Sequence, residues 1–413
     1  MANQMKITDV PDDCLEHIFK KLELMDLLNV AHSSKSFKGA LDLAYTSTYG
    51  GKKVILRNDK PSYKVDKCKI HIHDLLMSLK LLRCFGHKIR SLVCMNNPDV
   101  LLERYVNSFC ADSLEKIEFS FAWDGAWENL RKPFTKIEAV RFNSYSDLKA
   151  DVTDFNVWFP QMRRLEFIGT GAKNCSFIAK HFPNLEHVAI IEYYLVDYSF
   201  DSSNIVELLR LNPQIKSLEL HDYFLVTAAF IQSISEHLQR IETLAVGFCE
   251  FFIHTDGVVH FQNVKHFTVE FWAEEEPEFQ LAFDQIETLN VCAHKCQLNT
   301  AFLEFIRIHR SSLVKVVVSG DCGEDPFRAT NKTEVAMAMD QLVDIDIRYT
   351  VLSVNEAITF LDTCTSLKEF RFKLKDAANN IDSLKQRAAM RGHGHGYEWR
   401  LSVEDDSRIL LQR

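Results

Sequence analysis

One short segment carries three side chains that bind transition metals. Cys292, His294 and Cys296 alternate along the sequence Cys-Ala-His-Lys-Cys, and thiolate sulfur and imidazole nitrogen are preferred zinc ligands. A closed structural zinc site needs a fourth ligand and usually has its cysteines in C-x-x-C spacing. We therefore expect this segment to be a strand end that runs into a loop, and we predict no metal site.

Other patterns that would indicate catalysis are missing from the sequence. There is no glycine-rich phosphate loop, no nucleophile elbow and no helical pair of metal-binding histidines. No local motif marks any of the eleven cysteines as an activated nucleophile. The histidines and glycines of residues 391–396 could bind metal weakly, but we expect an ordinary surface turn there. The sequence predicts a protein that is not an enzyme and has no cofactor.

Three apolar residues recur at a fixed spacing through most of the chain. In each copy the second apolar residue follows the first by three positions, and the third follows by five. The last two alternate as on one face of a β-strand. The copies are Ile89/Leu92/Cys94, Leu114/Ile117/Phe119, Ile137/Val140/Phe142, Met162/Leu165/Phe167, Leu185/Val188/Ile190, Ile215/Leu218/Leu220, Ile241/Leu244/Val246, Val264/Phe267/Val269, Ile286/Leu289/Val291, Leu313/Val316/Val318, Leu342/Ile345/Ile347 and Leu367/Phe370/Phe372. Leu401 and Val403 close the series.

The segments between these strands read as helices that return the chain to the start of the next strand. Apolar residues at i, i+3 and i+4 indicate helices around 177–182, 205–209, 230–234, 302–306 and 357–361. With units of about 25 residues, the array from Ile89 to Glu404 resembles leucine-rich repeats. The resemblance implies an α/β solenoid with parallel strands on the concave face and helices on the convex face. An ordinary α/β sheet, such as a doubly wound fold, is the alternative.

The flanks of this array are expected to close it. Residues 45–88 are interpreted as a linker and imperfect first repeats, with strands at 54–56 and 70–72 and a helix from Leu75 to Phe85. They would shield the open end of the stacked repeats. Residues 405–413 form a short charged tail in which Ile409, Leu410 and Leu411 could cover the last repeat.

Polar side chains between the buried strand positions should face outward and bind a partner. Their mixed charges suit a protein partner better than a fatty ligand, although a solvated face that only discourages aggregation would look the same. The candidate substrate-binding residues are Arg164, Glu166, His187, Glu219, His221, His266, Glu270, Trp272, Arg348 and Arg371.

Bulky aromatic residues recur just beyond the strand ends. Either all of these rings are buried at the loop side of the core, or one ring of each pair is exposed and forms a binding rim. The pairs are Phe121 and Trp123, Tyr193 and Tyr194, Tyr223 and Phe224, Phe248 and Phe251, and Phe271 and Trp272.

Residues 7–44 lack the repeat and read as three short helices. Pro11 with Asp12 and Asp13 suits a helix start, Asp26 could cap a second helix, and a third could run from Lys35 to Ala44. About 40 residues rarely form a stable core alone, so part of their apolar surface must be covered by the first repeats or by another protein.

The sequence from Val10 to Leu22, followed by Asp26-Leu27-Leu28-Asn29-Val30 and Ser36-Phe37, resembles an F-box. The resemblance implies docking on the Skp-type adaptor of a cullin–RING ubiquitin ligase. Val10 stands where leucine is usual and keeps the position apolar. The residues in or beneath that interface would be Val10, Pro11, Leu15, Ile18, Phe19, Leu22, Leu27, Leu28 and Val30.

Composition limits the remaining possibilities. A net charge of -9 argues against a general nucleic-acid binder and gives no reason to expect binding to anionic membranes. No apolar run suggests a signal peptide or a membrane span, and eleven scattered cysteines suggest reduced thiols in the cytoplasm or nucleus. We expect a substrate-recognition subunit that links an unidentified protein target to the adaptor and a cullin. The alternative is a non-ligase scaffold in which the N-terminal helices cap the solenoid.

Overall fold

The computed structural model describes the chain with several gaps. The residues outside the description are 1–6, 8–9, 58–60, 96–99, 121–129, 145–154, 170–178, 193–202, 223–227, 248–257, 272–280, 295–296, 321–324, 396–397 and 405–406. The chain groups into two compact units. Unit 1 comprises residues 1–188 and 192–212, and unit 2 comprises residues 189–191 and 213–413.

Unit 1 begins with three helices: α1 (Asp12–Phe19), α2 (Leu24–Ser33) and α3 (Lys38–Tyr49). Three boundaries differ from the sequence prediction. Helix α3 begins at Lys38 and not at Lys35, because Lys35–Phe37 form a separate 3-10 turn. Helix α2 begins before Asp26, which lies in its first turn and does not cap it, because buried Leu24 already belongs to the helix. Helix α3 extends to Tyr49 because Tyr45 and Tyr49 continue its buried face.

The rest of unit 1 alternates strands and helices. The elements are β1 (Lys53–Arg57), β2 (Tyr63–Val65), β3 (Lys69–Ile72), α4 (Leu75–Phe85), β4 (Ser91–Met95), α5 (Val100–Cys110), β5 (Lys116–Ser120), β6 (Ala139–Ser144), α6 (Phe155–Trp158), β7 (Arg164–Gly169) and α7 (Ser203–Leu211). Strand β8 (His187–Glu192), which precedes α7, has residues assigned to both units. Strands β4 to β7 are parallel and lie in chain order. Strand β1 lies between β4 and β3, and β2 pairs antiparallel with β3.

Unit 2 continues the alternation. Its elements are β9 (Ser217–Asp222), α8 (Ala228–His237), β10 (Thr243–Val246), β11 (Val259–Phe261), β12 (His266–Phe271), β13 (Leu281–Phe283), β14 (Thr288–Ala293), α9 (Thr300–His309), β15 (Lys315–Gly320), α10 (Lys332–Ala338), β16 (Asp344–Leu352), α11 (Val354–Thr363), β17 (Glu369–Leu374), α12 (Ala377–His395), β18 (Arg400–Val403) and β19 (Arg408–Gln412). Strands β9, β10, β12, β14, β15, β16 and β17 are parallel neighbours in chain order. Strands β11 and β13 form a separate parallel pair.

The recurring apolar triplets form the core of both units. Every residue of the twelve complete triplets is at most 3% exposed, because alternation along each strand directs them to one face. Helices lie on that face: Phe360 of α11 stacks on Phe370 of β17, with ring centroids 5.0 Å apart. The helices predicted around 205, 230, 302 and 357 are present as α7, α8, α9 and α11. The helix predicted at 177–182 is wrong for residues 179–182, which are not helical, while 177 and 178 lie outside the described residues. Parallel strands added in chain order are compatible with a solenoid.

The C-terminal end differs from the prediction in two places. Strand β19 pairs antiparallel with β17, and β18 lies outside it. Ile409 and Leu411 therefore occupy the core positions expected for Leu401 and Val403, and Val403 is 48% exposed. Residues 391–395 belong to helix α12 and are not a turn, because buried Leu384 and Ala388 hold one face of this helix in the core.

Among the described residues, no helix combines the length and apolar character needed to cross a bilayer.

Candidate docking surfaces and a Cys-His-Glu cluster

Helix α1 carries apolar side chains on two faces. Leu15 and Phe19 are buried among the N-terminal helices, and the Phe19 ring meets Phe37 edge to face at 5.7 Å. Ile18 is 54% exposed, and Pro11 and Cys14 are exposed with it. Since positions 11, 14 and 18 are spaced by three and four residues, they lie on one side of the helix. This exposed apolar stripe, Pro11, Cys14 and Ile18, is called the α1 row.

The structure sorts the nine predicted adaptor-binding residues into three groups. Pro11 and Ile18 are exposed, and Val10, Leu22 and Val30 are half-buried. Leu15, Phe19, Leu27 and Leu28 are buried, so they support the surface from beneath. Sequence reasoning did not single out Cys14, which shares the exposed side of α1.

The opposite side of the three helices is covered by the segment that follows them. The ring of Tyr45 in α3 stacks on Phe85 of α4 at 4.3 Å. Lys80 Nζ donates to Asn29 Oδ1 at 2.7 Å, and His87 Nε2 lies 3.0 Å from Asp42 Oδ2. So small a module needs part of its apolar surface covered, and the following segment of unit 1 covers it. The α1 row stays exposed.

Comparison with known families bears on this module. The F-box domain family matches residues 7–44. These residues are an F-box. F-box domains bind Skp-type adaptors, which connect them to cullin-based ubiquitin ligases. No curated protein gives a significant match to the chain.

Beyond the F-box, the sheet of each unit has a face opposite the buried triplets, here called the open face. In unit 1, Glu118, Arg141 and Glu166 are register neighbours on β5, β6 and β7. Lys53 Nζ lies 2.7 Å from Glu118 Oε2, and both Arg141 and Arg164 bond Glu166. Arg141 reaches Glu166 from the adjacent strand, whereas Lys53 of β1 reaches across β4 to Glu118 on β5. Together these ion pairs form a charged network on the open face.

This network lines a shallow cavity of about 350 Å³. Four cations, Lys53, Lys116, Arg141 and Arg164, and two anions, Glu118 and Glu166, border it. The position of Glu166 differs from the prediction. It was expected to face a partner, but it is only 7% exposed because two arginines cover its carboxylate. Arg164 is exposed and His187 is half-buried.

The predicted substrate-binding residues of unit 2 fall at several places on its open face. His221 Nε2 lies 3.7 Å from Glu219 on β9, and His266 at the start of β12 is exposed. Arg348 and Arg371 both lie against Asp346, which is buried. The hydrogen bond to Asp346 raises the pKa of the Arg348 guanidinium above its usual value. Both arginines therefore form ion pairs with the Asp346 carboxylate of the same sheet.

Most of the predicted aromatic rim residues are not among those that the structure describes. Phe271 is buried, so it fits the core alternative and not an exposed rim. The other predicted rim residues lie outside the described residues: Phe121, Trp123, Tyr193, Tyr194, Tyr223, Phe224, Phe248, Phe251 and Trp272.

Three side chains with metal-ligand chemistry meet on the open face of unit 2. Glu270 of β12 is the register partner of Cys292 on β14, and His294 follows Cys292 on the same face. His294 Nε2 lies 2.7 Å from Glu270 Oε1 and 3.0 Å from Cys292 Sγ. In the sequence, Cys292 and His294 belong to one short segment, whereas Glu270 is a separate candidate substrate-binding residue. Glu270 and Cys292 are separated by 21 residues, and the sequence gives no local signal of this contact.

This cluster is not arranged as a nucleophilic triad. In such triads, the nucleophile and the orienting carboxylate contact different nitrogens of the histidine. Here both contact Nε2. Several other thiols are buried: burial raises the pKa of Cys94 and of Cys364 to about 12, which removes thiolate character near neutral pH.

Proposed function

We propose that this protein is the substrate-recognition subunit of a Skp–cullin–F-box ubiquitin ligase. The observation that carries the proposal is the α1 row, an exposed apolar stripe inside the residues that match the F-box. An apolar row left open by a module that is otherwise covered is typical of a protein interface. Leu15 and Phe19 beneath it fix the orientation of the helix.

The remainder of the chain would bind the target protein. Parallel strands in chain order, about 25 residues apart, support a leucine-rich-repeat solenoid. Their open faces carry mixed charges, including the charged cavity of unit 1 and the exposed His266 of unit 2. Polar surfaces with both signs of charge suit a protein partner.

Ubiquitin transfer would then be accelerated by proximity. The chain itself acts as a non-enzymatic adaptor that holds a target lysine near the charged ubiquitin carrier. We place this activity in the cytoplasm or nucleus, where cysteines stay reduced. The proposal includes a cullin recruited through the Skp-type adaptor.

The second candidate is a scaffold that uses the F-box helices as a cap. The stacking of Tyr45 on Phe85 and the contact of Lys80 with Asn29 favour it, because they join these helices to the segment after them. Such contacts are compatible with adaptor binding, since they involve α2, α3 and α4 and leave the α1 row exposed. Binding to the adaptor therefore separates the two candidates.

The test is co-purification with a Skp-type adaptor, using Ile18→Asp. A charge in the α1 row should weaken binding at least about tenfold, since burial of one isoleucine contributes about 1.5–3 kcal/mol. Ile308→Asp is the matched control, because Ile308 is 66% exposed on α9 in unit 2. We expect this control to bind like the wild type.

Both substitutions are at exposed sites and should preserve the fold, which circular dichroism can check. A change in adaptor binding then reports on the surface and not on unfolding. Loss of adaptor binding in Ile18→Asp alone, with cullin captured by the wild type, supports the ligase subunit. A wild-type chain that does not bind the adaptor rules it out in favour of the scaffold. Adaptor binding without cullin supports a non-ligase complex.

A further inference from the structure

The strongest unexplained feature outside the F-box is the cluster of Glu270, Cys292 and His294. Their ligand atoms, one carboxylate oxygen, one sulfur and one imidazole nitrogen, all lie within 4.8 Å of one another. The side chains of His294 and Glu270 are 12% and 17% exposed, and Cys292 is half-buried. The cluster is therefore partly shielded and still open to an ion from solvent.

The backbone holds these three residues in place. Glu270 and Cys292 are paired in the ladder between β12 and β14, and Cys292 pairs on its other side with Ser319 of β15. The His294 N–H donates to the Phe271 carbonyl at 2.8 Å. Phe271 and Ala293, which alternate with the cluster, are buried in the core. Glu270 and Cys292 thus come from paired strands of the sheet, and His294 directly follows β14, where its backbone bond to Phe271 holds it.

We propose that Glu270, Cys292 and His294 form a zinc-binding site. Sulfur, nitrogen and oxygen ligands of this kind suit Zn²⁺, whereas Mg²⁺ and Ca²⁺ prefer oxygen alone. Three protein ligands leave the fourth position for water or for a group supplied by a bound partner. This proposal is independent of adaptor binding by the F-box, and it departs from the sequence-based expectation of no metal.

Distances and charges both fit this ion. With bonds of about 2.0–2.3 Å to zinc, ligand atoms in a tetrahedral site are about 3.4–3.6 Å apart. The observed separations of 2.7 and 3.0 Å would each widen by less than about 1 Å. Zn²⁺ would replace the proton of the Cys292 thiol, which leaves to solvent. The thiolate and the Glu270 carboxylate then balance the two positive charges, and His294 binds through the Nε2 lone pair.

Cobalt gives a direct test on the full-length chain, because Co²⁺ replaces Zn²⁺ and reports its ligands by absorption. After treatment with a chelator and its removal, one equivalent of Co²⁺ should give a thiolate-to-cobalt band and the visible bands of a four-coordinate site. Added Zn²⁺ should remove both. Cys292→Ala should abolish the thiolate band, and Glu270→Gln should weaken Zn²⁺ binding while sparing the sulfur ligand. Loss of a residue that only hydrogen-bonds a metal ligand lowers metal affinity roughly 10–100-fold. Both variants lose a ligand itself, so we expect their Zn²⁺ affinity to fall by more than that.

Cys84→Ala is the matched control, because Cys84 is also half-buried but lies on α4 in unit 1. It should bind Co²⁺ like the wild type. If the wild type shows no thiolate band, or if Cys292→Ala keeps it, the proposed site is wrong. Glu270→Gln with unchanged Zn²⁺ affinity would also overturn the assignment, and this readout holds even if Cys292→Ala fails to fold.

Discussion

At the scale of single residues, His309 shows how a buried ring can couple stability to pH. Its side chain packs between Phe283 and Phe305. Nδ1 donates to the Phe305 carbonyl at 2.8 Å, and Nε2 accepts the Phe283 N–H at 3.1 Å. Burial lowers the pKa of His309 below its usual value of 6.5, although the Phe305 carbonyl opposes this shift. A second proton on Nε2 would break the bond to Phe283.

The pH dependence of stability follows from this shift. With the folded pKa lowered, the unfolded chain takes up a proton first as the pH falls below about 6.5. The contribution of His309 to the free energy of unfolding is therefore fully present above that pH and is lost toward the lower folded pKa. We expect His309→Gln to show a smaller loss of stability between pH 7.5 and 5.5 in urea denaturation.

His32→Gln serves as the control, since His32 is exposed at the end of α2. It should keep the pH slope of the wild type. Equal slopes in all three proteins would show that His309 does not carry the effect.

At the scale of single elements, the N-terminus of α11 is defined by nearby residues in the sequence. The Ser353 hydroxyl accepts the Glu356 N–H at 3.3 Å, and the Glu356 carboxylate accepts the Ser353 N–H at 2.7 Å. This capping box is readable from the sequence Ser-Val-Asn-Glu. It satisfies two backbone donors that the first turn leaves unpaired.

Removing the cap should therefore cost measurable stability. We expect Ser353→Ala to lower the free energy of unfolding by about 1 kcal/mol in chemical denaturation. Thr359→Ala, at a half-buried position later in the same helix, should change the free energy of unfolding by less than about 0.5 kcal/mol. If both substitutions have the same effect, the cap does not stabilise α11.

At the scale of the whole molecule, the F-box depends on the segment that follows it. Tyr45 is almost fully buried, and its ring stacks on Phe85 of α4. Burial also raises the pKa of the Tyr45 phenol, so the ring stays neutral. These contacts make helices α1 to α4 one packed body inside unit 1.

Tyr45→Ala should loosen this body as a whole. Loss of a buried aromatic side chain costs about 3–5 kcal/mol, and amide hydrogen exchange should then rise in α1, α2 and α3 together with α4. Leu76→Ala is the control, because Leu76 lies on α4 but is 76% exposed. Faster exchange confined to α3 would contradict a cooperative F-box and cap.

The sequence alone located the strands that carry the triplets and the N-terminal helices, but it did not predict β2, β11, β13 or β19. The triplets predicted the buried residues because alternation along a strand is a local property. The F-box was predicted from fixed spacings within 38 residues and confirmed by the family match to residues 7–44. Boundaries such as the end of α3 at Tyr49 were predicted less well, since packing on α4 extends that helix.

Only the tertiary structure decided which of these side chains are exposed to a partner and which contact one another. Leu15 and Ile18 look equivalent in the sequence, yet only Leu15 is buried, because the two side chains lie on different sides of α1. Glu166 is buried because Arg141 reaches it from the neighbouring strand. Glu270 meets Cys292 because β12 and β14 pair in one register. Register depends on the complete segments that join the strands, so no local pattern around either residue predicts the contact.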